Sequence, residues 1–275
     1  MKHLFVLKAG MVRSTMLIVA VVAFYSCSKP AEKITLFNGK DLGGWDTYIG
    51  PNYDTARKKF DSIPGTGLNN DPSKVFSVAD VDGTPVLRVS GEKFGGVSTT
   101  KEFSNYHLTV EFKWGEAKYA PKLNARRDSG LLYHGVGDHG ADGGFWLQSQ
   151  EFQVQEGDCG DYWGVAGGSF DVPVVKQGND FVYDPKGEMM TFNEKSPNDR
   201  HVVKQPDNEK PTGEWNTLEL YCLGDSAVHV VNGKVVMRLY NSNLTKGKIQ
   251  IQSEGAEVYY RNLQLEQINE IPDLK

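Results

Sequence analysis

The chain has 275 residues, of which 39% are hydrophobic, 24% charged and 11% aromatic, with a formal net charge of −5. These fractions exclude intrinsic disorder, which goes with few aromatics and high charge per residue, and 3 cysteines are too few for a disulfide-built scaffold. The acidic balance also argues against nucleic acid as a partner, because phosphates require clustered Lys and Arg. Glycine stands at 30 residues and proline at 12, a composition of many turns and little helix.

Residues 1–26 read as an export signal. Lys2, Lys8 and Arg13 make a positive n-region, and Met16 to Tyr25 is an apolar run too short to span a membrane, which takes about 20 residues. Ser26 before Cys27, then Ser28-Lys29-Pro30, resembles a bacterial lipoprotein processing site, with Cys27 as the lipidated N-terminus; an ordinary secretory signal is the alternative. Removing 26 residues leaves 249, and the loss of three basic residues moves the net charge from −5 to −8. The expected product is a cell-envelope lipoprotein on the periplasmic or surface side, its lipid the sole membrane attachment. A short linker, 27–33, leads into one domain over 34–268, and 269–275 form a tail. Oligomeric state stays open.

Within the domain, Asp54 to Ser62 predicts one short helix. Elsewhere the signal is period 2, the mark of strands with one buried face. Leu108, Val110, Phe112 and Trp114 alternate with His107, Thr109, Glu111 and Lys113. Residues 171–213 hold five prolines, scattered charges and little alternation, which predicts long loops over one end of the fold. Leu218, Leu220 and Cys222 read as a strand with a buried thiol, although an exported protein also permits a Cys159–Cys222 disulfide. Val228 and Val230 lead to Asn232-Gly233, and then Val235, Met237 and Leu239 alternate with Val236, Arg238 and Tyr240. Asn-Gly between two such runs predicts a hairpin, because both turn positions need φ > 0. Ile249 and Ile251, a turn at Glu254-Gly255, and Val258, Tyr260, Leu263 and Leu265 close the chain as strands. Many short strands and glycine-rich turns predict an all-β fold, one large β-sandwich.

Six segments, taken in order, resemble the family named 3-keto-disaccharide hydrolase or 3-keto-glucoside lyase/hydratase, once a domain of unknown function. They are Leu36-Phe37-Asn38-Gly39-Lys40-Asp41-Leu42-Gly43-Gly44-Trp45; Asp128-Ser129-Gly130-Leu131-Leu132-Tyr133-His134, with Asp where the family usually has Asn; and Gln150-Glu151-Phe152-Gln153-Val154 followed by Asp158. Gly213-Glu214-Trp215-Asn216, the Asn232-Gly233 hairpin, and Gly247-Lys248-Ile249-Gln250-Ile251-Gln252 through Tyr260-Arg261-Asn262-Leu263 complete them. The resemblance implies a concanavalin A-like jelly-roll sandwich of two antiparallel sheets, with a 3-keto-glycoside bound on the concave sheet.

The residues add a chemistry of their own. Alternation places Glu151, Gln153 and Gln155 on one face and Phe152 and Val154 on the other; donors and acceptors on one face suit sugar hydroxyls, as they also suit a solvated sheet. His134 ends the motif strand, either as a proton-transfer residue or as a core imidazole. Arg126 and Arg127 are candidates to hold an enolate, against ordinary surface ion pairs. Asp158 belongs to the acidic loop of that site. Trp146 and Trp163 offer faces to a sugar ring. Asp138, His139 and Asp142 are candidates for a divalent cation, in a Gly- and Asp-rich run that also reads as a solvent turn. No cofactor is required.

The resemblance implies that a ketone at C3 acidifies the C2 proton, so that a base removes it and the enolate expels the C1 substituent. His134 or Glu151 would be the base and the other the proton donor, with Arg126, Arg127 or a cation at the enolate. The glucanase pattern Glu-x-Asp-x-x-Glu is not fully met: Glu151 and Glu156 stand at its two Glu positions, but Gln153 takes the Asp place. The alternatives are a non-catalytic, lectin-like module using Trp146, Trp163 and Gln153, and a tethered scaffold with no small ligand.

Overall fold

A strand with one apolar face must bury it, and two sheets of such strands bury each other's. The computed structural model describes Met1 and residues 33–274. The predicted export signal and the lipidation at Cys27 therefore lie outside the described residues.

Two eight-stranded antiparallel sheets form the sandwich, and no helix occurs among the described residues. The first sheet runs Lys234–Leu239, Ser226–Val231, Asn216–Leu223, Tyr106–Lys118, Ala256–Gln267, Thr84–Val89, Phe76–Val81, with Lys33–Thr35 added on Ala256–Gln267. The second runs His201–Val202, Tyr162–Val165, Gln148–Gln155, Asp128–Val136, Lys248–Ser253, Gly95–Thr99, Trp45–Ile49, Gly67–Leu68. This is the all-β sandwich that the alternation predicts, in the jelly-roll form that the family resemblance implies. Leu108, Val110 and Phe112 of the first sheet join Leu131, Phe152, Val154 and Ile251 of the second in one core, all fully buried. Each such side chain contributes about 1.5–3 kcal/mol through burial. The Asn232-Gly233 turn has the two positive φ angles predicted, 48° and 78°.

Several polar groups inside the core are paired. Tyr133 Oη lies 2.9 Å from His229 Nε2, and the His229 ring stacks on Phe152 with centroids 4.1 Å apart. Ser129 Oγ donates to the Gln252 carbonyl at 2.8 Å and lies 2.8 Å from Tyr260 Oη. Cys159 and Cys222 are both buried and both free, so the disulfide is not formed.

Two expectations need correction. Residues 53–60 form a small hairpin, Tyr53–Asp54 with Lys59–Phe60, rather than a helix. Asp54 accepts hydrogen bonds from the Ala56 and Arg57 amides, each at 2.9 Å, and these local bonds favour a turn. Residues 171–213 are not all loop, because Asp180–Tyr183, Phe170–Gln177 and Glu188–Phe192 make a three-stranded sheet. Its proline, Pro173, sits inside the central strand opposite Met189. The C-terminal tail packs on the sandwich. Ile268, Ile271 and Leu274 pack over Tyr221, Val228 and Val230 on the outer face of the first sheet. An Arg238 Nη2 bond of 2.9 Å to the Leu274 carbonyl closes that seam.

Candidate functional site

Pairing in register sends side chains of neighbouring strands to the same face. Asp128 pairs with Gln155, Gly130 with Gln153, and Leu132 with Glu151, so these six share the outer face of the second sheet. Trp163 pairs with Glu151 on the other side. The face floors a cavity of about 290 Å³ whose lining includes Glu151, Gln153, Gln155, Asp128, Gln252 and Glu254. Its walls come from elsewhere in the chain: Lys122, Asp142, Trp146, Asp158, Trp163 and Arg200.

The cations are committed to acids. Lys122 Nζ bridges the Asp128 and Glu254 carboxylates, and Gln155 also donates to Asp128. Burial works against the Lys122 charge, but the fields of Glu254 and Asp128 hold it above its ordinary value. Arg200 Nη1 reaches Asp142 at 3.3 Å and Glu194 at 2.9 Å, with its guanidinium 5.6 Å from the Trp163 ring centroid. Trp163 also stacks on His201, centroids 4.2 Å apart.

The acids on the floor hold protons more tightly than usual. Glu151 is 6% exposed and forms no hydrogen bond with the described residues; burial, then the negative fields of Glu254 and Asp128, push its carboxyl well above the usual range. Burial and Asp128 likewise push Glu254 up to about 8 against the pull of Lys122, and burial raises Asp128. A carboxylic acid facing a cavity in its protonated form is a proton donor.

Of the residues singled out in the sequence, Glu151, Gln153, Trp146, Trp163, Asp158 and Asp142 are brought together here. Trp146 is anchored by its indole N–H, which donates to the Gly95 carbonyl at 3.1 Å. Arg126 stays at the exposed edge, bonded to Asp158 and, at 3.2 Å, to the Glu156 carbonyl. Arg127 turns away. Its Nη1 pairs with Glu156 at 2.8 Å and its Nε donates to the Gly115 carbonyl at 3.1 Å, beside a different cavity.

His134 does not reach the cavity. Pairing slips between Tyr133 and Val136, and His134 itself has φ 53°, so its side chain leaves the alternating face. The ring lies edge-on to Tyr106 and Tyr133, and Nδ1 donates to the Leu244 carbonyl at 2.9 Å. Burial lowers its pKa to about 4, so at neutral pH it is an uncharged core imidazole.

The cation candidates do not converge. Asp138 is exposed, the His139 ring stacks on Tyr48 at 5.2 Å, and Asp142 is held by Arg200. Among the described residues no group of three or more His, Cys, Asp or Glu is placed to hold a metal ion. Sequence reasoning missed Lys122, Asp128, Arg200, Gln252 and Glu254. The alternation of Ile249 and Ile251 with Gln250 and Gln252 marks the last two as outward positions, whereas Lys122 and Arg200 lie in irregular segments without such a signal.

An acid- and amide-lined cavity between two indoles, on the open face of a jelly-roll sandwich, is the site of a carbohydrate-active protein. The family described as the 3-keto-alpha-glucoside-1,2-lyase-like domain has a model that matches residues 32–266, and the chain belongs to that family. No curated protein matches the chain. Among solved structures it is similar to a candidate glycosyl hydrolase from Parabacteroides distasonis, at 20% identity over 86% of this chain and 100% of that one, TM-score 0.49. It is also similar to a carbohydrate-binding module from Bacillus subtilis, at 11% identity over 82% and 96%, TM-score 0.45. A Bacillus licheniformis β-glucanase gives 10% identity over 88% and 100%, TM-score 0.44.

Proposed function

We propose that the protein cleaves the glycosidic bond of a 3-keto-glycoside by elimination. The observation that supports this reading is Glu151, a carboxyl on the floor of the cavity whose proton burial holds more tightly than usual. The Glu254 carboxylate removes the proton from C2, where the C3 ketone has made it acidic. The C2 electron pair forms the enolate, its oxygen facing the Lys122 or Arg200 cation. The enolate then expels the C1 substituent, and Glu151 gives its proton to the departing oxygen. The products are a free alcohol and a sugar with a C1=C2 double bond conjugated to the ketone; water added across that bond makes the net reaction a hydrolysis.

The test is incubation with a 3-keto-disaccharide and with its unoxidised parent, each with and without a chelator. Cleavage of the keto form alone is the expected result, because the parent has no acidic C2 proton. Equal cleavage of both would replace elimination with ordinary glycoside hydrolysis. Binding of either sugar without cleavage would make the protein lectin-like, and loss of activity with the chelator would bring a cation into the reaction.

The same proposal places the enzyme on the cell envelope through a lipid on Cys27. Metabolic labelling with a radioactive fatty acid is expected to mark the protein, and Cys27→Ser is expected to abolish the label and release the protein from the membrane fraction. Label retained by Cys27→Ser would remove the anchor from this reading.

A further inference from the structure

Gly130 is not among the glycines with positive φ, so its backbone does not demand the missing side chain. The space above it does. A Cβ on residue 130 would lie 2.2 Å from Glu151 Oε1 and 2.4 Å from Gln252 Oε1. The two oxygens crowd over the same Cα from strands on either side.

Neither oxygen has a donor. Gln252 is 1% exposed, and its Oε1 is buried without a hydrogen-bond partner among the described residues. A buried amide oxygen left without a donor is costly, and two bare acceptors brought together repel each other. One proton between them removes both penalties, and the Glu151 carboxyl is the group in this cradle that can carry it. The surroundings favour that state. Asp128 and Glu254, bridged by Lys122, and Asp142 lie around Glu151, with Arg200 the opposing cation and the Tyr162 and Tyr260 hydroxyls on the core side.

We propose that Gln252 is a positioning residue for Glu151: its side-chain carbonyl accepts the carboxyl proton above Gly130 and holds it ready for the departing oxygen. Gly130 is then the residue that lets the two oxygens meet. The catalytic half of this statement rests on the elimination reading, whereas the proton-sharing half belongs to the free protein.

The experiment follows the carbon-13 resonance of the Glu151 carboxyl in the full chain as pH rises, assigned by its loss in Glu151→Gln. Wild type is expected to remain protonated at pH 7. Gln252→Met removes the acceptor and Gly130→Ala drives the oxygens apart, so in each variant Glu151 is expected to lose its proton about tenfold more readily, a shift of roughly one pH unit. A Glu151 carboxyl already ionised at pH 7 in wild type, or a midpoint unmoved in both variants, overturns the proposal. Should the midpoints shift in a protein that cleaves no 3-keto-glycoside, proton sharing stands and the elimination reading falls.

Discussion

Glu151→Gln is expected to slow cleavage of a 3-keto-glycoside by about 10²–10⁴-fold, the usual contribution of a positioned proton donor. The substitution is close to isosteric, and a glutamine amide can still donate to the Gln252 side-chain carbonyl, so the fold has little to lose. Binding is expected to survive, because Gln153, Trp146 and Trp163 remain around the sugar. The loss should therefore appear in kcat, with KM near wild type. The pH profile gives a second reading. Turnover should rise toward about pH 8 as Glu254 loses its proton. Full activity in Glu151→Gln, with circular dichroism unchanged, would exclude the residue as donor.

The second large effect concerns stability. His229 is fully buried, and burial lowers its pKa from 6.5 to about 3; His134 falls from 6.5 to about 4 for the same reason. In the unfolded chain both imidazoles take a proton below about pH 6.5, whereas the folded protein keeps them neutral. The unfolded state then binds more protons, so stability is fully present above pH 6.5 and is lost as pH falls. One pH unit corresponds to about 1.4 kcal/mol. Full acidification therefore costs on the order of 5 kcal/mol through His229 and on the order of 3 kcal/mol through His134. The raised carboxyls of Glu151 and Glu254 act in the opposite sense over this range, so the test is differential: in urea unfolding at pH 7, 5.5 and 4, His229→Gln should lose less stability on acidification than wild type, even if it lowers the starting value. The same pH dependence in His229→Gln as in wild type would mean that the His229 imidazole is not buried in solution as it is here.

The strands were legible because their cause is local. Leu108 to Trp114 alternate and are buried as they alternate, and the Asn232-Gly233 turn carries its geometry in two residues. The same logic placed Glu151 and Gln153 outward, opposite Phe152 and Val154. It failed at His134, where a slip in pairing and one positive φ reverse a side chain that simple alternation sends to the cavity. Arg127 misled for another reason, since its partner Glu156 is distant in sequence and only the fold brings them together. Lys122 and Arg200 enter the cavity from turns, where neither period nor propensity says which way a side chain points. Pro173 and the charges around it masked a strand that tertiary packing stabilises.

The C-terminal segment has a practical consequence for anyone expressing the protein. Ile268, Ile271 and Leu274 cover the apolar outer face formed by Tyr221, Val228 and Val230. Trimming the gene back after Gln267 would leave that greasy patch open beside the Lys234–Leu239 strand at the sheet's rim. Exposed apolar surface at the rim of a sheet is a starting point for clumping. A shortened version would thus be prone to precipitate while its sugar cavity, on the opposite sheet, stayed intact.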